Sequence, residues 1–223
     1  MFEKSDPPSQ SSSLRRERNK QAKLDRIKEA AWTLFVERGF AATTLRDIAA
    51  QADVSTGTVF LYVNDKADLL LMVFSEAIAA KATDVFQSQR LGGPLNEVLL
   101  SVFTPFLNLY RPYPGLARDF LRETLFHSGP WRDRELEQAR AFMVRLATFL
   151  AERQATGEMR RDLDVQQFAL TLFSLYQTVL VGWLSGVLTH EQAHAQLRTH
   201  FEFQVAAALA YDLLPVSPSR SSL

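Results

Sequence analysis

Apolar residues recur at every third or fourth position along nearly the whole chain, and no other feature of the sequence constrains the fold as much. In a helix this spacing places the apolar side chains on one face, where they can be buried. In the stretch from Lys20 to Arg38, such a face is formed by Leu24, Ile27, Ala31, Leu34 and Phe35. No stretch shows the convincing alternation of a half-buried strand. The sequence therefore predicts an all-α protein.

Glycine, proline and capping residues divide this pattern into about nine helices. Thr44 with Asp47 and Thr189 with Gln192 have the spacing of a capping box, so each pair predicts a helix start. The predicted helices cover about residues 20–38, 44–52, 55–62, 66–87, 95–111, 114–127, 131–155, 165–188 and 190–213. The sequence of the two ends predicts a disordered basic leader over residues 1–17 and a disordered tail over residues 215–223.

Composition argues against several kinds of chemistry. The chain has no cysteine, which removes disulfides, thiolate nucleophiles and cysteine-ligated zinc. Its nine glycines form neither a phosphate-binding loop nor the nucleophile turn of common hydrolases. The sequence begins without a basic and then apolar signal segment, so we expect a cytoplasmic protein. We expect no enzymatic activity, no cofactor and no bound metal.

The predicted helices at 44–52 and 55–62 have the dimensions of a helix–turn–helix unit. The exposed positions of the second helix are small or carry hydroxyls: Ser55, Thr56, Gly57 and Thr58, followed by Tyr62. No acidic residue occurs between Ser55 and Val63. This composition suits a close approach to DNA, which bulky or negative groups would prevent. The alternative is a short polar helix that merely packs against the first helix.

Positive charge is concentrated ahead of this unit. The whole chain carries 25 basic and 25 acidic residues, which argues against a surface that is basic throughout. In residues 14–28, however, seven basic residues face two acidic ones, a local net charge of +5 (7 − 2). A flexible basic arm at this place could neutralise phosphates or enter the minor groove. The alternative is a solvated helix start that only aids solubility.

The order and spacing of residues 20–75 resemble the N-terminal domain of the tetracycline-repressor (TetR) family of transcriptional regulators. The resemblance rests on Arg26, Ile27, Ala30, Ala31, Leu34, Phe35, Arg38, Gly39, Phe40, Thr43, Thr44, Leu45, Arg46, Asp47, Ile48, Ala49, Ala52, Val54, Ser55, Gly57, Thr58, Val59, Tyr62, Lys66, Leu69 and Leu70. Three positions depart from the family pattern, because Asp53, Phe60 and Val63 stand where glycine, tyrosine and phenylalanine are usual. Aspartate tolerates the left-handed conformation that such a turn needs. Phe60 lacks a hydroxyl that would bind phosphate.

The resemblance implies a DNA-binding domain over residues 18–66. Thr44 would contact a phosphate and Arg46 a base edge, since arginine is well shaped for guanine. Lys66, at the start of the fourth helix, would hold a phosphate with help from the helix dipole. From the recognition helix, base edges, sugars and phosphates would be contacted by Ser55, Thr56, Gly57, Thr58, Leu61 and Tyr62.

Residues 67–214 resemble the family only in their helical architecture, which implies a domain for ligand binding and dimerisation. The resemblance implies an apolar effector cavity, with candidate lining residues Phe103, Phe106, Tyr110, Phe126, His127, Phe142, Phe173 and Tyr176. The alternative is an ordinary helix-bundle core. Arg122 and Glu123 are candidate polar anchors, although a surface pair between the two is the simpler interpretation.

No charged residue occurs between Val165 and His190, and this apolar stretch is long enough to span a bilayer. A row of polar side chains along it, including Gln167, Ser174 and Thr178, favours a core or subunit-interface helix instead. The resemblance implies that the last two helices pair with those of a second copy. The expected contact residues are Val179, Gly182, Trp183, Gly186, Phe201 and Val205. We expect no membrane association.

The segment from His190 to His194 matches the HExxH pattern of zinc peptidases. A helix start at Thr189 would leave His190 and Glu191 in an exposed first turn. His200 would lie on another face of the helix, so no third ligand is evident. This arrangement disfavours a peptidase.

These observations predict a ligand-responsive transcriptional regulator, most simply a repressor. It would bind a palindromic operator in double-stranded DNA as a homodimer and would be released by a small hydrophobic or aromatic effector. The alternative is a helical small-molecule binding protein or enzyme with a vestigial helix–turn–helix unit.

Overall fold

The computed structural model describes residues 10–87 and 92–209. Within these ranges the helices are α1 Gln10–Ala42, α2 Leu45–Gln51, α3 Thr56–Val59, α4 Lys66–Gln87, α5 Leu95–Tyr110, α6 Pro114–Phe126, α7 Pro130–Ala155, α8 Val165–Leu184 and α9 His190–Ala208. The described residues contain no β-strand, although Met159 and Leu209 form an isolated antiparallel bridge. The predicted all-α fold is confirmed, and every helix after α1 starts within one residue of its predicted position.

Helix α1 begins at Gln10 instead of near Lys20, so residues 10–17 of the predicted disordered leader are helical. The physical reason is propensity: leucine, arginine, glutamate, lysine and glutamine dominate residues 14–24, and these residue types favour a helix enough to extend it through the preceding serines. Residues 1–9 and the predicted tail at 215–223 lie outside the described residues.

The C-terminal end of α1 is formed by Gly39 and Thr43. Gly39 adopts φ 82° and ψ 162°, outside the helical region, and interrupts the helix there. Thr43 is fully buried, and its hydroxyl oxygen lies 2.8 Å from the Gly39 carbonyl oxygen and 3.2 Å from that of Leu34, to which it can donate. The buried hydroxyl is thereby satisfied, and the chain is directed into α2.

The chain forms two compact units whose boundaries differ from the predicted one at residues 66 and 67. The described part of the first unit comprises residues 10–76 together with 119–133. In it, α1 packs on α2, and α2 packs on α3. The segment 119–133 joins this unit through contacts distant in sequence, since Phe120 stacks on Phe74 with 4.7 Å between ring centroids. The Trp131 indole also donates to the Tyr62 carbonyl at 3.3 Å. Such contacts leave no periodic signal in the sequence.

The described part of the second unit comprises residues 77–87, 92–118 and 134–209. Its core forms where α9 packs against α8 and α5. Phe103 of α5, Leu172 of α8 and Phe201 of α9 are fully buried there. The apolar residues of these helices therefore meet as the amphipathic spacing predicts.

Among the described helices, only α8 is long and apolar enough to cross a membrane by length and composition. In its most apolar window, 44% of the residues are buried within the protein. A core helix satisfies the same criterion, so α8 alone does not indicate a membrane span. The helix ends at Leu184, before the predicted residue 188, because Ser185 caps it and Gly186 turns the chain with φ 85°.

Candidate functional site

Thr44 and Asp47 form the predicted capping box at the start of α2. The Asp47 N–H donates to the Thr44 hydroxyl oxygen at 3.2 Å, and the Thr44 N–H donates to the Asp47 carboxylate at 3.1 Å. The hydroxyl of Thr44 donates to the same carboxylate oxygen at 2.6 Å. This hydroxyl bond first, and then the backbone bond from Thr44, hold the pKa of Asp47 below its ordinary value. The predicted phosphate contact of Thr44 would therefore compete with its cap.

Arg46 lies exposed in the first turn of α2. Its guanidinium forms no hydrogen bond or ion pair with any residue in the described part of the chain. The five N–H donors of the guanidinium remain available to a base edge or a phosphate.

Helix α3 is shorter than predicted, because it ends at Val59 instead of Tyr62. Ser55 caps it by accepting the Thr58 N–H at 3.1 Å, and the two hydroxyls lie 2.9 Å apart. Two hydrogen bonds between residues three apart continue the turn beyond the helix. They run from the Leu61 N–H to the Thr58 carbonyl and from the Tyr62 N–H to the Val59 carbonyl. The element is thus one helical turn followed by a tighter one.

Two large apolar side chains project from the end of this element. Phe60 is 53% exposed and Leu61 is 80% exposed, although Val59 beside them is fully buried. Gly57 is also exposed and presents bare backbone. An apolar surface beside hydroxyls suits contact with a thymine methyl group or a sugar, which is the kind of contact that the family resemblance implies for Leu61.

The turn between α2 and α3 requires a left-handed residue, and Asp53 supplies it with φ 52°. The departure from glycine at this position is therefore accommodated as expected. Arg26 of α1 approaches the Asp53 carboxylate at 3.5 Å, but both side chains are exposed and the pair stabilises the turn little.

A basic groove runs between α1 and the residues of the α3 turn. It has a volume of about 340 Å³ and is lined by Arg16, Asn19, Lys20, Lys23, Thr58, Leu61 and Tyr62. The Tyr62 hydroxyl donates to the Lys20 carbonyl at 3.1 Å and joins the two walls. The basic segment is therefore part of α1 and not the flexible arm that we expected. The charge pattern of the sequence identifies the basic segment. Which of its residues line the groove depends on their positions around helix α1.

Lys66 occupies the first position of α4, yet its ammonium group already has partners. It donates to the carbonyls of Phe40 at 2.6 Å and Ala41 at 3.2 Å, and it lies 4.5 Å from the centroid of the Phe40 ring. Two of its three N–H donors thus tie α4 to the chain that follows Gly39. One donor remains for the phosphate contact that the resemblance implies.

Six of the eight residues predicted to line an effector cavity lie in the second unit, and five of these form one aromatic cluster. Phe103 has its ring centroid 5.5 Å from Phe142 and 5.4 Å from Tyr176, and the cluster also includes Phe106 and Phe173. Tyr110 is the sixth. Burial, followed by the charge of Glu135, raises the pKa of its phenol above the ordinary value.

The other two predicted cavity residues, Phe126 and His127, belong to the first unit. Phe126 is 81% exposed, and His127 lies beside Asp65 and Asp68. The expectation fails for these two because α6 passes from the second unit into the first, which neighbouring aromatic residues in a sequence do not reveal. Arg122 and Glu123 form the surface pair that we considered simpler, at 2.9 Å.

The structure also corrects the predicted dimer contacts. Val179, Trp183, Phe201 and Val205 are buried within the single chain, so their side chains are not available to a partner. A Cβ on Gly182 would approach Leu188 of the same chain to 2.9 Å, while Gly186 is exposed. The prediction assigned the apolar side of α8 to the subunit interface, but that side is buried within the same chain. Residues on its exposed side include Leu170, Ser174, Thr178 and Val181.

The HExxH segment does not form a peptidase site in the described residues. Thr189 and Gln192 make the predicted capping box, and Glu191 has its pKa lowered by a backbone hydrogen bond first and by Thr189 second. The His190 and His194 Nε2 atoms lie 3.3 Å apart, whereas His200 is bonded to Gln196. Burial lowers the pKa of both His190 and His194. Among the described residues, no third protein ligand lies beside His190 and His194 to complete a catalytic zinc site.

A short, acid-free α3 with hydroxyl side chains beside a basic groove is the arrangement of a helix–turn–helix DNA-binding protein. Residues 27–73 match the family described as bacterial regulatory proteins, tetR family. The fatty acid metabolism regulator protein of Bacillus subtilis (strain 168) is 24% identical over 75% of this chain and 86% of its own length. The transcriptional regulator TtgR of Pseudomonas putida is 27% identical over 71% of this chain and 78% of its own length.

The fold is likewise similar to solved structures. FadR of Thermus thermophilus, a TetR-family transcriptional repressor in complex with lauroyl-CoA, matches with a TM-score of 0.69 and 26% identity, covering 89% of this chain and 99% of that one. Residues 27–73 thus match the TetR family, and the chain as a whole is similar to TetR-family transcriptional regulators.

Proposed function

We propose that this regulator is a repressor that binds a palindromic operator as a homodimer and leaves it when a hydrophobic effector binds. The observation that carries the proposal is the groove between α1 and α3, whose lining includes Arg16, Lys20 and Lys23 and no acidic residue. These cations can replace counterions along a DNA backbone, while Arg46 and the α3 turn contact base edges. A repressor of this kind would act in the cytoplasm, where bacterial DNA lies.

A dimer meets a physical need of this site, because α3 has only four residues and can read few bases. Two copies would read half-sites about one helical turn, or 34 Å, apart. The exposed side of α8 and α9 in the second unit supports such a dimer. It carries Arg198 and Glu202 at its edge and otherwise includes a set of uncharged residues: Leu170, Ser174, Thr178, Val181, Ala195, Thr199, Phe203 and Ala206. Depletion of charge at the centre of such a face is typical of a subunit interface.

The effector proposal rests on the aromatic cluster around Phe103. Its apolar side chains would favour a hydrocarbon chain or an aromatic ring, with Tyr110 and Tyr176 as polar contacts. The lauroyl-CoA bound to the Thermus relative makes a long-chain acyl thioester the first effector to test.

A route from effector to DNA is offered by α4, which contributes residues 66–76 to the first unit and 77–87 to the second. A shift of this helix would move Lys66 and the contacts that it makes with the end of α1. Pivoting of α4 would then change the separation of the two α3 turns and lower the operator affinity.

The test measures binding of the full chain to double-stranded DNA from upstream of its own gene. Fluorescence anisotropy reports the binding at each of a series of salt concentrations. We expect salt-dependent binding that weakens when lauroyl-CoA is added, with octanoate and free CoA as controls. Salt-independent or absent binding would overturn the repressor proposal and favour a small-molecule binding protein or enzyme with a vestigial helix–turn–helix. DNA binding without any response to lauroyl-CoA would reject only the acyl thioester.

A further inference from the structure

Three side chains with no part in the DNA interface meet at the start of α4. Asp65 and Asp68 lie within one turn of each other there, and His127 follows the end of α6 in the same unit. The His127 Nε2 atom is 3.6 Å from the nearer Asp65 oxygen and 3.5 Å from Asp68 Oδ1. One nitrogen or oxygen atom from each residue lies within 4.8 Å of the other two.

The side chain of Asp68 is fully buried, and half of its carboxylate lacks a donor. Its Oδ2 accepts the Asn64 N–H at 3.0 Å, which anchors the group. No described residue donates a hydrogen bond to Oδ1, and none forms one with the buried Nε2 of His127. Burying a carboxylate oxygen without a partner costs free energy. A positive charge between Asp68 Oδ1 and His127 Nε2 would offset this cost.

The distances fit a shared ion better than a direct hydrogen bond. An N–H···O bond needs about 2.7–3.2 Å between nitrogen and oxygen, which both separations exceed. Four ligands placed tetrahedrally about 2.1 Å from an ion lie about 3.4 Å from one another. The separations of 3.5 and 3.6 Å are close to that edge length.

Gly129 keeps the space in front of these atoms open. A Cβ added at this position would lie 2.6 Å from Asp68 Oδ1 and 3.0 Å from His127 Nε2. The backbone of Gly129 is not in the left-handed region, so its conformation does not require glycine. The absence of a side chain here therefore serves the space beside the two unpartnered atoms.

We propose that Asp65, Asp68 and His127 bind a divalent first-row transition cation such as Zn²⁺. Two carboxylates and one imidazole suit such an ion, whereas Mg²⁺ and Ca²⁺ prefer oxygen ligands alone. Asp65 is half exposed, which leaves room for water as a further ligand. The bound ion would tie the first turn of α4 to residues 127–129. This proposal would replace the expectation, drawn from the sequence, of a protein without metal.

The test is calorimetric titration of the full chain, with any tag removed, with ZnCl₂. A His194→Gln background removes the second site that the His190 and His194 ring nitrogens could form. We expect one Zn²⁺ per chain, undisturbed by excess Mg²⁺. Asp68→Asn and His127→Gln should weaken binding by about tenfold or more. Asp133→Asn, an exposed change of the same type in the same unit, should not.

Gly129→Ala provides a second variant that keeps all three ligands. We expect it to weaken Zn²⁺ binding as well, while Gly115→Ala, whose added Cβ meets nothing within 4 Å, leaves binding unchanged. Circular dichroism of each variant checks that it is folded. Absence of Zn²⁺ binding in the His194→Gln background would overturn the proposal. Unchanged binding in folded Asp68→Asn and Gly129→Ala variants would overturn it too.

Discussion

Two cations of the DNA-binding unit, Arg46 and Lys66, have different surroundings, although the family resemblance implies a DNA contact for both. The guanidinium of Arg46 has no partner in the described residues, whereas the ammonium group of Lys66 is bonded to two carbonyls of its own chain. A cation without internal partners can be removed at little cost to folding. A cation that satisfies two carbonyls contributes to stability as well.

Replacing these cations one at a time should separate the two contributions. We expect Arg46→Ala to weaken operator binding by about 1–3 kcal/mol with an unchanged melting temperature. Lys66→Ala should lower the free energy of unfolding by about 1 kcal/mol, because two hydrogen bonds to carbonyls are lost. Anisotropy with operator DNA and thermal unfolding measure the two effects. An equal loss of stability in both variants would contradict this distinction.

The conformation of Asp53 in the turn between α2 and α3 can be tested by substitution. Its φ of 52° is readily adopted by glycine but costs free energy for alanine. We expect Asp53→Ala to lower the free energy of unfolding by about 1 kcal/mol and Asp53→Gly to leave it equal or higher. Both variants remove the exposed pair with Arg26 equally, so chemical denaturation of the two isolates the conformational effect. Similar stability of the two would argue against it.

At the scale of single elements, the structure and the sequence agree where the determinants are local. Both capping boxes, at Thr44 and Thr189, were predictable because their partners lie three residues apart. The length of α3 was not predicted, since the sequence has no stop signal at Val59, where the helix ends. The start of α1 was not predicted, because serines are weak signals for a helix and here the helix-forming residues that follow them extend it to Gln10.

The capping box of α2 predicts a pH dependence. Hydrogen bonds from Thr44 lower the pKa of Asp47 from its ordinary value of 3.8. The unfolded chain therefore binds a proton at higher pH than the folded one, so the stabilising contribution is present above pH 3.8. It is lost as the pH falls through the lower pKa of the folded state.

Thermal unfolding between about pH 2 and pH 6 can detect this contribution. Wild-type protein should lose stability more steeply below pH 3.8 than Asp47→Asn, which has no proton to gain. The exposed Asp84, paired with Lys81 in α4, offers a control, and Asp84→Asn should follow the wild-type curve. Parallel curves for wild type and Asp47→Asn would show that protonation of Asp47 does not change the stability of the fold.

At the scale of the whole molecule, contacts between residues distant in sequence determine features that the apolar periodicity does not predict, such as which unit a segment joins. The segment 119–133 joins the DNA-binding unit through pairs such as Phe74 with Phe120, and this membership separates His127 from the aromatic cluster. The sequence shows that α8 has an apolar side and a side with a row of polar residues, but it does not show which of them faces a second copy. The burial of Val179 places the apolar side inside the chain and leaves Val181 on the outward face.

This outward face leads to the prediction for the assembly. Val181 of α8 is 44% exposed and Phe203 of α9 is 73% exposed, on helices that pack against each other. If this surface joins two copies, Val181→Glu or Phe203→Glu would bury like charges across the two-fold axis and produce monomers. Light scattering after gel filtration measures the mass.

Val144→Glu on α7, equally apolar and 66% exposed, should remain dimeric. The monomeric variants should also lose cooperative binding to a palindrome while keeping weak affinity for one half-site. A dimer that persists in both glutamate variants would place the interface elsewhere.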